Sequence, residues 1–198
     1  MFCFACTGGI GTGKSYVVRI FSALGIPAYI ADDRAKELYN IDKELLGKLV
    51  DTLGNEIVVD GKLQRSVMAG KIFSNKKLLL KINNIVHPRL LEDFYEWREE
   101  QEKKGVKMII YESAIFLETP IFHPIADKVI VVTAPEYVRI KRVIKRDNID
   151  EHLVKQRINR QWIDEKRFKM ADFIIFADGK RAVLPQILHI IDEVKKNL

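Results

Sequence analysis

A parallel β-sheet covered by helices on both faces is the fold class this sequence predicts, and three observations predict it. Short apolar runs without polar alternation recur at residues 1–6, 26–31, 106–111, 128–132 and 173–176. A strand buried on both faces reads as such a run. Segments with helical spacing separate the runs, and strands alternating with helices return parallel to one another. Finally, the first run passes through a glycine-rich turn straight into a helical pattern.

The elements follow in order. Residues 15–24 place Val17, Val18, Ile20, Phe21 and Leu24 at helical spacing. Residues 26–31 form a second strand that ends at Asp32-Asp33, and residues 34–39 continue as a helix. Residues 43–53 are helical and stop near Gly54. Val58-Val59-Asp60-Gly61-Lys62 is a turn signal between two short extended pieces. Residues 65–73 and 76–103 are helical, with a break expected at His87-Pro88, because proline lacks the N–H that a helix interior needs. Residues 106–111 make a central strand ending at Glu112, and residues 128–132 another. Pro135 starts a helix, residues 151–160 continue helically, and the chain closes with strand 173–176 and helix 182–194. The length suits a single domain. Its core is expected at about 1–41, 105–138 and 170–198, interrupted by a helical insertion at about 42–104 and a basic lid at about 139–169.

The turn after the first strand reads Thr7-Gly8-Gly9-Ile10-Gly11-Thr12-Gly13-Lys14-Ser15. Gly8 through Ser15 satisfy G-x-x-x-x-G-K-[ST] in full, in the strand–turn–helix setting that gives the motif its meaning. Backbone N–H groups of such a turn converge on phosphate oxygens, and the helix that follows points its positive end at the same anion. Lys14 adds a charge near the outer phosphates, and the Ser15 hydroxyl suits a Mg2+ ion. The expected ligand is a nucleoside triphosphate, held by Gly8, Gly9, Gly11, Thr12, Gly13, Lys14, Ser15 and the adjoining Tyr16.

Composition narrows the class. Hydrophobic residues make up 47% of the chain, enough for a sizeable core. No apolar run approaches the ~20 residues of a membrane span, and the opening residues read as strand and loop rather than a cleaved signal, so a cytoplasmic protein without a membrane partner is expected. Cys3 and Cys6 are three residues apart on a strand and point to opposite faces, which suits buried thiols better than a metal or redox pair. Residues 139–169 hold eleven Lys and Arg against five acids, a surplus that equals the net charge of +6. A localised basic segment favours a polyanionic ligand.

Three further groups could carry chemistry. If the second strand neighbours the first, Asp32 faces the phosphate loop and can orient a substrate hydroxyl toward the γ-phosphate; capping the next helix is an equally good use of it, and Asp33 competes for either task. Glu112, at the end of the most apolar strand, can hold Mg2+ directly or through water, or can be a solvated or capping glutamate. Arg142 and Arg146 are four apart on one helix face and can neutralise charge on a transferring phosphoryl group.

With these residues in view, the chain resembles the dephospho-CoA kinase family over nearly its whole length. The T-G-G-I-G-[ST]-G-K-S opening is matched at Thr7 to Ser15, and D-A-D-x-x-A in part at residues 30–35. D-G-x-L-x-R falls at Asp60 to Arg65, and H-P at His87-Pro88. D-x-P-L-L-x-E is similar to Glu112 to Glu118, R-x-x-x-R-D is similar to Arg142 to Asp147, and Gln161 and Ala171-Asp172 follow in order. The resemblance implies a three-layer P-loop kinase fold and MgATP-dependent phosphorylation of the ribose 3′-hydroxyl of dephospho-CoA, the last step of coenzyme A biosynthesis. It also implies Asp32 as base or hydroxyl-orienting group, Lys14 and Arg142 as catalytic cations, Arg65 and His87 as contacts to the acceptor, and Ser15 with Glu112 near the metal. The chain departs from the family pattern at Ile30, Tyr16, Glu112, Ala114 and Ala177.

Two other readings remain. One is a related nucleoside or nucleotide kinase, against which the long helical insertion suggests an acceptor larger than a mononucleotide. The other is an ATP-gated nucleic-acid switch. The basic segment has only Trp162 and Phe168 as aromatics, too few to favour stacking on single strands.

Overall fold

The structure, a computed structural model, describes residues 1–73 and 75–196. Residue 74 of the expected insertion and residues 197 and 198 of the expected core lie outside the described residues.

The chain opens with β1 (Phe2–Thr7), α1 (Lys14–Ala23) and β2 (Ala28–Ile30). A mostly helical stretch follows: α2 (Ala31–Ile41), α3 (Lys43–Leu53), the short strands β3 (Val58–Val59) and β4 (Lys62–Leu63), α4 (Arg65–Phe73) and α5 (Lys76–Lys103). Then come β5 (Met108–Glu112), β6 (Lys128–Thr133), α6 (Glu136–Asp147), α7 (Glu151–Asn159), α8 (Asp164–Phe168), β7 (Phe173–Phe176) and α9 (Val183–Lys196). Two compact units emerge, Met1–Tyr29 with Lys104–Leu198, and Ile30–Lys103.

The first unit is built on a five-stranded sheet in the order β2-β5-β1-β6-β7. β1 runs parallel to both β5 and β6, and β6 parallel to β7. Cys3 to Cys6 of β1 and Ile109 to Tyr111 of β5 are fully buried, as uninterrupted apolar strands require. α1 and α9 pack on each other, α1 also on β1 and β5, and α9 on β7. The Phe4 and Phe21 rings meet at 5.7 Å, and Tyr29 stacks on Tyr111 at 5.4 Å. β5 lies between β2 and β1, so the second strand is not the neighbour of the first. Burial, with the carboxylate of Glu112 beside it, pushes the Cys6 thiol far above its ordinary range, so it stays protonated and inert.

The basic segment is not one continuous helical run. Asn148 takes a left-handed conformation that ends α6, and the Asp150 carboxylate caps α7 by accepting from the Leu153 N–H at 2.9 Å. α6 and α7 then close on a small core of Ile140, Val143 and Val154.

In the second unit α5 packs against α2, α3 and α4. Asp93, buried, takes two hydrogen bonds from Arg34, from Nε at 2.9 Å and Nη2 at 2.6 Å. The β3–β4 hairpin forms at the predicted turn. The expected break at His87-Pro88 is absent, because α5 runs unbroken through Pro88 for 28 residues. Ile82, Val86, Leu90 and Phe94 form one buried stripe on both sides of the proline, and that shared packing outweighs a single missing backbone hydrogen bond.

Candidate active site

The glycine-rich turn joins β1 to α1 at the carboxyl end of the sheet's middle strand. Gly8, at φ 146°, lies so close to β6 that a Cβ there would stand 2.2 Å from the Val132 carbonyl oxygen. Any side chain would lift the loop from the sheet, so glycine is required at this point. The Thr12 hydroxyl, fully buried, donates to the Gly9 carbonyl at 2.9 Å and ties the loop across its width. α1 starts at Lys14 without a side-chain cap, which leaves first-turn N–H groups available to an anion.

Lys14 folds back over its own loop. Its Nζ donates to the carbonyls of Gly8 at 3.0 Å and Gly9 at 3.3 Å and stands 3.8 Å from the Glu112 carboxylate. Glu112 is brought there by register: it sits opposite Cys6, two residues before the loop. Both side chains are nearly buried, at 11% and 8% exposure, so the pair is a strong local field rather than a solvated surface contact.

Arg142 reaches in from α6. Its Nη1 donates to Gly11 O at 3.3 Å and Thr12 O at 3.2 Å, and its Nη2 to Ala177 O at 2.8 Å. It bridges the phosphate loop and the turn after β7. A cavity of about 330 Å³ opens beside it, lined by Gly13, Lys14, Ser15, Tyr16, Arg142 and Arg146 among others. A second, of about 340 Å³, shares Tyr16, Arg142 and Ala177 and extends along residues 179–183. Arg146 is tied to Asp147, which also receives Arg157, and these two cations hold the Asp147 carboxyl below its usual range, Arg146 chiefly.

The loop, Lys14, Ser15, Tyr16, Glu112 and Arg142 are thus gathered in one unit. Asp32, Arg65 and His87 belong to the other. Asp32 lies in the first turn of α2, exposed, and the N-cap of that helix is Ile30. The capping use of Asp32 does not occur. Among the described residues its carboxylate has no hydrogen bond or ion pair, whereas Asp33 is engaged by Lys36 at 2.6 Å. Arg65 opens α4 with an exposed side chain. His87 is half-buried, and burial lowers its pKa, so it is neutral near pH 7.

Three residues at or behind the loop were given no role from the sequence, Gln161 among them although its position matches the family order. Arg139, 7% exposed, donates from Nε to Ile10 O at 3.0 Å. Gln161 Oε1 accepts from Ile10 N–H at 2.7 Å. Behind them Arg167, 1% exposed, binds Glu118 at 2.9 Å and Asp164 at 3.2 Å. Two of the three are cations in a basic run, and nothing in their spacing separates a buried one from a solvated one.

The residues present suit a magnesium ion of the kind bound with a nucleotide. Such an ion takes one or two protein oxygens and completes its shell with phosphates and water. The exposed Ser15 hydroxyl and the Glu112 carboxylate are of the right chemistry. Among the described residues no group of three His, Cys, Asp or Glu side chains could form an all-protein metal cage.

The chain is similar to known proteins along nearly its whole length. The sequence model of the dephospho-CoA kinase family (CoaE) matches residues 2–182. A dephospho-CoA kinase from Bacteroides fragilis is 36% identical over 185 residues, 93% of this chain and 89% of that protein. One from Porphyromonas gingivalis is 36% identical over 196 residues, 98% of this chain and 95% of that protein. Among solved structures, dephospho-CoA kinase from Campylobacter jejuni superposes with a TM-score of 0.71 at 26% identity, covering 99% of this chain and 98% of the other. A shikimate kinase from Bacteroides thetaiotaomicron, at TM-score 0.54 and 14% identity over 98% of each chain, shares the fold alone.

Proposed function

The chain belongs to the dephospho-CoA kinase family, ATP-dependent phosphotransferases of coenzyme A biosynthesis, and from that premise we propose how its own residues carry the reaction. The acceptor atom is the ribose 3′-hydroxyl of dephospho-CoA. The observation that carries this reading is the Gly8–Ser15 loop with Lys14 set between its carbonyls and Glu112, in a chain matched by the family over residues 2–182.

The triphosphate lies along the loop in the first cavity, and the nucleoside in the adjoining one between Arg142 and residues 179–183. Lys14 leaves the Gly8 and Gly9 carbonyls for the outer phosphate oxygens. Arg142, which holds those loop carbonyls and the turn at Ala177, also neutralises charge that develops on the phosphoryl group. Ser15 and Glu112 would hold Mg2+, which would supply further neutralisation of phosphate charge. Asp32 accepts a hydrogen bond from the 3′-hydroxyl. The hydroxyl oxygen bonds to the γ-phosphorus as the bond to the bridging oxygen breaks, ADP departs, and the proton passes to Asp32 or to water. Positioning dominates because the transition state is loose. Arg65 contacts the acceptor's phosphates as a cation, and neutral His87 contacts it as a hydrogen-bonding group.

No helix among the described residues is long and apolar enough to cross a membrane. The family's small-molecule substrates support an enzyme that acts on ATP and dephospho-CoA in the cytoplasm.

The test is ADP release with MgATP and dephospho-CoA, with adenosine and nucleoside monophosphates as parallel acceptors. Saturable turnover with dephospho-CoA and a product phosphorylated at the 3′ position is expected. Turnover only with another acceptor would move the substrate and keep the kinase.

A further inference from the structure

We propose that Gln161 and Arg139 are positioning residues of the phosphoryl transfer. They hold the two backbone polar groups of Ile10 in the phosphate loop and so set the shape the loop presents to the nucleotide. The inference rests on the proposed role of that loop in binding ATP.

The loop needs such support. Gly8, Gly9, Gly11 and Gly13 surround Ile10, and glycine backbones are the least restricted of all. Left alone, this stretch samples many conformations, only a few of which aim its N–H groups at one phosphate. At Ile10 the sampling stops. Its N–H donates to Gln161 Oε1 at 2.7 Å, and its carbonyl accepts from Arg139 Nε at 3.0 Å. Its side chain packs on the Ile140, Val143 and Val154 core between α6 and α7. Peptide and side chain are therefore all fixed from the basic segment, which lies well over a hundred residues along the chain.

The two supports are themselves fixed. Arg139 spreads its guanidinium over Gly9, where a Cβ would stand 2.3 Å from Nη2. Its Nη1 lies 3.9 Å from Asp164, which accepts from the Thr133 hydroxyl at 2.6 Å and binds buried Arg167. Arg167 in turn binds Glu118, and the same carboxylate accepts the Trp162 N–H at 3.2 Å, one residue past Gln161. The chain of contacts from Glu118 to Ile10 runs through charged groups of opposite sign, all within one compact unit. Gln161 lies two residues beyond the end of α7 and Arg139 in the first turns of α6. The base of the basic segment is thus latched to the loop, and closure over ATP falls to the part between them, around Arg146 to Arg157.

A side-chain amide is well suited at position 161, because it accepts the Ile10 N–H without placing a negative charge beside the triphosphate. Gln161→Met keeps the length and removes the acceptor, and Gln161→Glu keeps an acceptor. Affinity for a non-hydrolysable ATP analogue, kcat and KM for both substrates, and melting temperature are measured for each. In Gln161→Met, analogue affinity and kcat/KM for ATP are expected to fall about tenfold, the cost of ordering the loop around the nucleotide without that hydrogen bond. The KM for dephospho-CoA and the melting temperature should stay near those of the parent. Gln161→Glu restores the acceptor and should recover part of the loss, the remainder being repulsion between its charge and the triphosphate. Parent-like affinity in Gln161→Met overturns the proposal. Equal loss in both variants with a matching drop in melting temperature also overturns it, leaving Gln161 a scaffold residue. The analogue titration needs no acceptor. A parent that binds ATP but does not phosphorylate dephospho-CoA would therefore refute the assigned reaction and leave the positioning test intact.

Discussion

Lys14 occupies a position that only a cation can fill, between two loop carbonyls and the Glu112 carboxylate. Lys14→Ala removes the charge aimed at the outer phosphates, and turnover should fall about 10²–10³-fold, read in the ADP-release assay. Near-normal turnover would sink the assignment of the loop. Asp32 is a different case, since its carboxylate is exposed and has no hydrogen bond or ion pair among the described residues. Asp32→Asn should lower kcat by about 10²-fold while affinity for an ATP analogue holds. If affinity fell and kcat held, Asp32 would serve nucleotide binding instead. Both residues could be found in the sequence because each has a spacing signal, one inside the G-x-x-x-x-G-K-[ST] pattern and one directly after a strand. Arg139 has none, and Gln161 enters only as a position that matches the family order, without a role. Arg139 reads as one of eleven cations in a basic run, and its burial follows only from the way α6 meets the loop.

Helix ends and interruptions decide the elements. Asp42 caps α3 by accepting the Leu45 N–H at 2.8 Å and also takes Arg89 Nε at 2.7 Å. These contacts, the backbone N–H first, hold its carboxyl below the ordinary value. Asp42→Ala should destabilise the protein by about 1 kcal/mol at neutral pH, measured by denaturant unfolding. The sign follows from the lowered pKa. The ionised cap contributes fully above the unfolded value of about 3.9, and its contribution fades as the pH falls toward the lower folded value. The curves of parent and variant should therefore converge below about pH 4, and a gap independent of pH would rule the charge out as the cause. Pro88 shows where element reading from sequence misleads. Local chemistry at His87-Pro88 argues for a break, yet Ile82, Val86, Leu90 and Phe94 bury one face of α5 across it. At Asn148 the opposite occurs, where a single polar residue in the left-handed conformation turns the chain and separates α6 from α7.

For the molecule as a whole, the sheet and the basic segment set what can move. Residues 139–169 are latched at Arg139 and Gln161 and carry exposed cations between. Amide exchange across α6 and α7 should slow when an ATP analogue and dephospho-CoA bind together, measured by mass spectrometry. Exchange unaltered by both ligands would argue against a closing lid. The sequence by itself determined the parallel α/β class, nearly every strand, the phosphate loop with Lys14 and Ser15, and the candidacy of Asp32, Glu112 and Arg142. Those features are local: apolar runs, glycine spacing and the residue that follows a strand are written in consecutive positions. Only the tertiary structure decided that β5 separates β2 from β1, that Glu112 stands beside Lys14, and that Ile10 is held by Arg139 and Gln161. These depend on which distant segments share one sheet end and one small core, and strand order and burial leave no periodic mark on a single chain.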